Sequence, residues 1–224
     1  MKWVGLLLLA AVVTGCAKLP AGGAVGGSKR LIFKLTVQGQ INPSYVYIVA
    51  LRPSKEITPT TQGPIPVIAP PWGNGFVAGN CTHFVRWDPT QNPDYLLYAF
   101  RDTNLIDFFA LGVPVNYVDP GAGAKTIQFE LDLTQIAPTD TDQYQSLQVN
   151  FLTMNRVPSG NSGTKIWDAL GDSTNPGQVS DYITVPLRTS GVYDNTRFAG
   201  LEPTNDTADP DLDLADFSVE VRLQ

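Results

Sequence analysis

Short apolar stretches separated by Gly, Pro and polar residues run from residue 30 to the end of the chain. Over 30–37 they alternate, with Leu31, Phe33, Leu35 and Val37 on one face, the two-residue period of a half-buried strand. Residues 125–133 alternate most cleanly. Ile127, Phe129, Leu131 and Leu133 face one way, and Gln128, Glu130 and Asp132 the other. In 217–223, Phe217, Val219, Val221 and Leu223 face inward while Ser218, Glu220 and Arg222 face water. The stretch 44–51 is almost continuously apolar, which predicts a central strand covered on both faces. Residues 82–88 and 95–101 are rich in aromatic and β-branched side chains, and 147–154 and 181–187 extend the series.

Helical periodicity is scarce. One helical turn is predicted at 134–137 and another at 165–170, the second ended by Gly171. The 18 Pro and 20 Gly fall mostly between the apolar runs, where they act as breakers. Eight or more strands predict an all-β fold. We expect an antiparallel β-sandwich, immunoglobulin-like or jelly-roll-like, with long loops at 53–80 and 155–180 and at most short helices. No fixed period recurs, which argues against a solenoid or propeller. The strands after 180 are too few for a core of their own. The last strand should therefore pair back, making 29–224 one domain.

The first sixteen residues carry a different pattern. Lys2 supplies a positive charge and 4–13 an apolar run, shorter than the roughly 20 residues of a spanning helix. Small residues follow, then Cys16, and such a start reads as an export signal. Val13-Thr14-Gly15-Cys16 resembles the lipobox of bacterial lipoproteins, in which a cysteine follows a small residue. The resemblance covers residues 1–16 alone. It implies that 1–15 are a signal peptide and that Cys16 becomes the mature N-terminus. It also implies that several fatty acyl chains of the palmitate type anchor Cys16 in a membrane, more stably than one chain would. The compartment implied is the bacterial cell envelope, with the body facing periplasm or cell exterior. Ala17 stands where some bacteria place an aspartate linked with inner-membrane retention, which favours the outer membrane in a cell that has one. The alternative is an ordinary signal peptide cut near Ala17. Residues 16–28, with Gly22, Gly23, Gly26 and Gly27, read as the lipid-bearing cysteine and a flexible tether.

Composition narrows the partners. Charged residues make up 16% of the chain, against about 25% in typical soluble proteins. The formal charge is −6, and Lys29-Arg30 is the only adjacent basic pair. Nucleic-acid binding needs clustered Lys and Arg, so that class is excluded. With Cys16 lipidated, Cys81 has no cysteine to pair with and is expected to be a buried structural thiol.

Candidate chemistry is sparse. His83 is the single histidine and lies two residues from Cys81, on the same strand face. Nucleophilic catalysis also needs an orienting third group, and zinc needs three or four ligands, so neither is expected there. No G-x-S-x-G elbow, P-loop or Rossmann glycine pattern occurs. Two of the 21 Asp and Glu residues could form a hydrolase pair, but no spacing locates one. Asp209, Asp211 and Asp213 alternate like the start of an EF-hand loop. Leu214 stands where that loop requires Gly, and Glu220 belongs to a strand. A looser calcium site from Asp206, Asp209 and Asp211 is the remaining metal expectation, and no other cofactor is expected. In the loop 70–76, Trp72 is a candidate ligand-binding ring, with Trp87, Tyr95, Tyr98, Tyr117 and Trp167 near strand ends. Flat rings suit sugar faces and apolar partners.

The expectation is a membrane-anchored exported lipoprotein whose sandwich binds a partner or helps to build the envelope without catalysis. The alternatives are a carbohydrate-binding module using loop aromatics and a hydrolase with unmarked carboxylates. The partner is the membrane, through the N-terminal lipid, together with a protein or glycan.

Overall fold

The computed structural model describes residues 29–66, 77–78, 81–103, 107–156, 166–174, 181–198 and 200–224. Cys16, the leader, the tether and Trp72 lie outside the described residues. The strands are β1 (Lys29–Val37), β2 (Tyr45–Ser54), β3 (Ile65–Pro66), β4 (Val77–Ala78), β5 (His83–Trp87), β6 (Tyr95–Phe100) and β7 (Phe108–Gly112). They continue as β8 (Asn116–Val118), β9 (Thr126–Asp132), β10 (Ser146–Asn155), β11 (Trp167–Ala169), β12 (Ile183–Pro186), β13 (Gly191–Asp194) and β14 (Leu214–Leu223). One sheet has the order β13-β14-β1-β9-β8. The other runs β11-β10-β2-β5-β6-β7, with β12 also paired to β10. All pairings are antiparallel, and the two sheets pack together as an all-β sandwich. β3 and β4 form a small separate pair.

Alternation places the core. On β1, Leu31, Phe33 and Leu35 lie between Leu131, Phe129 and Ile127 of β9 and Val221, Val219 and Phe217 of β14. All nine are buried, and the Phe33 and Phe129 rings stack at 5.0 Å. On β2, Tyr47, Val49 and Leu51 join this core between the sheets. Val46, Ile48 and Ala50 join a second cluster with Phe84, Tyr98, Leu152 and Met154. Two apolar clusters, one for each set of alternate residues, explain why 44–51 shows no alternation.

β10 is buried along nearly its whole length, although it carries polar side chains. The segment after β2 satisfies three of them. Ser146 Oγ donates to the Glu56 carbonyl at 2.6 Å, Gln148 Nε2 to Thr61 at 3.0 Å, and Asn150 Nδ2 to Pro64 at 2.9 Å. Buried polar groups need such partners, so this loop is fixed across β10.

The turn expected at 134–137 is present as a 3-10 turn at Leu133–Gln135, held by an Asp132–Gln135 capping box. The helical turn expected at 165–170 is corrected. Residue 165 lies outside the described residues, and Trp167, Asp168 and Ala169 form β11, pairing with Met154, Thr153 and Leu152. An available sheet edge overrides a weak local preference. Gly171 still ends the element with φ +103°, a conformation that disfavours any other residue.

Candidate functional site

β11 lies at the edge of the larger sheet, and the loop before β14 leads into the smaller one. Between them the chain gathers Asp168, Asp206 and Asp213. One carboxylate oxygen from each lies within 4.8 Å of the others. Asp168 and Asp213 are buried, Asp206 is half-buried, and Glu202 adjoins them at 4% exposure.

Each carboxylate is placed by backbone. Asp168 Oδ1 accepts from the Ala169 amide at 2.9 Å and Ser173 Oγ at 2.6 Å, and its Oδ2 accepts from the Leu214 amide at 2.6 Å. That last bond ties β11 to β14, across the two sheets. The Ser173 amide donates to Asp206 Oδ2 at 2.8 Å. The Asn205 amide donates to both oxygens of Asp213, at 3.0 and 2.9 Å. Asn205 has φ 66°, and asparagine tolerates this left-handed conformation better than most residues. Glu202 Oε2 accepts from the Gly171 amide at 3.3 Å. A Cβ on Gly171 would lie 2.8 Å from Asp181 Oδ2, a second reason for glycine there.

Two oxygens are left over. Glu202 Oε1 and Asp206 Oδ1 are buried and have no hydrogen-bond partner. None of the ion pairs seen among the described residues involves any of the four acids. Burial pushes Asp168 up to about 7, reinforced by Asp206 and opposed by the donors around it. Glu202 is pushed up to about 11, first by burial and then by Asp168 and Asp206. Asp206 is raised by burial and by Asp213, against the Ser173 amide. The charges acting on these groups are other carboxylates.

Asp209 and Asp211 lie elsewhere. Asp209 Oδ2 accepts from the Tyr45 hydroxyl at 2.5 Å, and this bond leads the causes that push the phenol up to about 12. Asp211 accepts from the Gln40 amide at 2.8 Å and Asn42 Nδ2 at 3.1 Å. These two acids clasp the loop before β14 to the β1–β2 turn. Of the sequence-predicted trio, the structure brings only Asp206 into the cluster. Asp168 and Glu202 were not singled out, because their positions carry no local pattern. The available hints were an acid inside an apolar run at 166–170 and the acid-rich 205–213.

A second buried acid has a contrasting environment. Asp88 accepts from Arg156 Nη2 at 2.9 Å and Nη1 at 3.2 Å, and from Thr90 Oγ1 at 2.6 Å. Burial alone would raise its pKa, but Arg156 and Thr90 outweigh that and lower it.

The thiol and imidazole do not form a catalytic pair. Cys81 Sγ donates to the His83 carbonyl at 3.0 Å rather than meeting its ring. Burial pushes the thiol up to about 12 and His83 down to about 4, so both are neutral near pH 7 and no thiolate forms. Trp87 and Tyr95 are core residues, and Tyr98 and Trp167 belong to or pack against the second apolar cluster. Tyr117 packs on Tyr95 at 4.9 Å.

The described residues also expose an apolar ridge. Phe109, Leu111, Val113, Val115 and Val118 are each 38–54% exposed. They lie on or between β7 and β8, the edge strands of the two sheets. Arg101 covers the Phe109 ring at 4.7 Å. On the outer face of the smaller sheet, a groove of about 180 Å³ includes Glu130 and Glu220 in its lining. Arg30 pairs with Glu130 and Arg222 with Glu220.

Comparisons with protein-family models, curated proteins and solved structures gave no match.

Proposed function

We propose that this chain is an exported, lipid-anchored β-sandwich that binds a protein partner in the cell envelope without catalysing a reaction. The ridge from Phe109 to Val118 carries this reading. Five exposed apolar side chains within ten residues, on both sheet edges, exceed the scattered exposure normal for a surface. An edge strand also offers unpaired backbone to an incoming strand. The lipobox at Cys16 supplies the anchor.

The hydrolase alternative gains less support. It needs two carboxylates flanking an open cleft. Asp168 and Glu202, both with raised pKa values, are buried at 0% and 4% exposure, while Glu130 and Glu220 are paired with arginine. The carbohydrate-binding alternative rests on Trp72, outside the described residues.

The test uses the full chain in cells, with a photo-crosslinking residue at Leu111 and, separately, at Val192 on the far edge of the smaller sheet. A discrete adduct at 111 that is absent at 192 and lost with Phe109→Ser and Val113→Ser is expected. No adduct at 111, or the same adduct at both sites, overturns the docking edge. Cys16→Ser should release the protein from membranes, and retention overturns the anchor.

A further inference from the structure

We propose that Asp168, Asp206 and Asp213, with Glu202 buried beside them, bind one hard divalent cation, calcium in preference to magnesium, and that the ion fastens the two sheets together. The site is independent of the docking edge.

Acidic clusters are common on protein surfaces and mean little there. This one is different because it is interior. Asp168 and Asp213 are 0% and 1% exposed, and Glu202 is 4% exposed. Glu202 gives the independent indication of a ligand. Its carboxyl is buried beside three other acids, and its Oε1 has no partner. Asp206 Oδ1 is similarly left without one. An unmade hydrogen bond at a buried carboxyl oxygen is costly, and a cation held by the three aspartates satisfies Asp206 Oδ1 and places positive charge beside Glu202.

The donor set indicates which cation. It contains only carboxylate oxygens, which favours a hard ion over zinc or copper. Oxygens on opposite sides of a calcium ion, each about 2.3–2.6 Å from it, stand about 4.6–5.2 Å apart. The three aspartate oxygens lie within 4.8 Å of one another, so they fit around one such ion. Magnesium retains several waters in a strict octahedron and is seldom held by an all-protein set of carboxylates. Calcium accepts irregular shells of protein oxygens.

The position indicates the effect. Asp168 belongs to the larger sheet, while Asp206 and Asp213 approach it from the loop feeding β14 of the smaller one. Val37 at the end of β1 pairs with Leu214, next to Asp213. The cluster is therefore at the opposite end of β1 from Lys29.

The experiment uses full-length protein purified in detergent and stripped with EGTA. Unfolding temperature is measured in EGTA, in calcium and in magnesium. Terbium emission is excited through the protein's tryptophans, Trp167 being adjacent to Asp168. Calcium at a hundredfold its dissociation constant should raise the unfolding temperature by about 5–10 °C, and magnesium by far less. Asp206→Asn, at the half-buried member, should abolish most of the calcium shift and the terbium signal. Asp209→Asn should retain both. Should Asp206→Asn fail to fold, Glu202→Gln serves instead, with calcium affinity lowered at least tenfold. An unchanged unfolding temperature together with no terbium emission overturns the proposal. So does a calcium shift of equal size in the parent, Asp206→Asn and Glu202→Gln.

Discussion

Asp88 and the Asp168 cluster are two solutions to burying negative charge. At Asp88 the counter-charge is part of the chain. Arg156 reaches both carboxylate oxygens, Thr90 adds two donors, and the pKa falls. At Asp168 the neighbours are more acids, the donors are backbone amides and a serine, and the pKa rises. A pair within the chain is complete as soon as the chain folds. A set of acids without such a partner makes stability depend on an ion in the surroundings. The envelope compartment inferred from the leader is one in which calcium is set by the medium.

Several measurements can break that contrast. The largest effect should come from calcium itself. At a hundredfold the dissociation constant, linkage adds about 2.7 kcal/mol to the folded state, readable in urea unfolding with and without EGTA. Arg156→Met should come next. It leaves Asp88 buried without its main partner, and because Arg156 is partly solvated the cost should be about 2 kcal/mol. That cost should be the same in calcium and in EGTA, and a calcium-dependent cost would show that the two acid sites are coupled. Smaller again is Glu202→Gln, which in EGTA should change stability by less than about 1 kcal/mol, because buried Glu202 already holds its proton there. In calcium the same substitution should lower it.

The pH dependence should have opposite signs at the two sites. Asp88 has a lowered pKa, so its stabilisation is complete above the ordinary carboxylate range near 4 and is lost as pH falls through its folded-state value. Asp168 has a raised pKa, so the folded state holds the extra proton. In EGTA, stability should fall as pH rises from about 4 to about 7, because the unfolded state releases that proton first. Unfolding in urea across pH 4–8 checks both. Arg156→Met should flatten the acid limb, and calcium the neutral one.

Much of the fold was legible because half-buried strands carry a period of two. β1, β9 and β14 could be read residue by residue, and β2 was legible by its lack of alternation. β7, β8 and β13 escaped because they are short and contain exposed apolar residues, so composition did not distinguish them from loops. β11 was misread as helical because three residues at a sheet edge take their conformation from β10, more than a dozen positions earlier. The candidate site was half legible. Acid-rich 205–213 drew attention to Asp206, but spacing along a loop cannot show that Asp209 and Asp211 turn toward Tyr45, Gln40 and Asn42. Asp168 and Glu202 approach Asp206 only once both sheets are built, and no local window of sequence contains that information.

β1 has a consequence for how the protein comes into being. Among the described residues it is the first strand, yet it lies inside its sheet, with β9 on one side and β14 on the other. Lys29 pairs with Leu223, one residue from the C-terminus. A sheet closed by two segments this far apart in sequence depends on long-range pairing, which is slow. The smaller sheet therefore stays open between β1 and β13 until β14 joins it. Loss of β14 would leave β1 with a bare, apolar flank for another copy to seize.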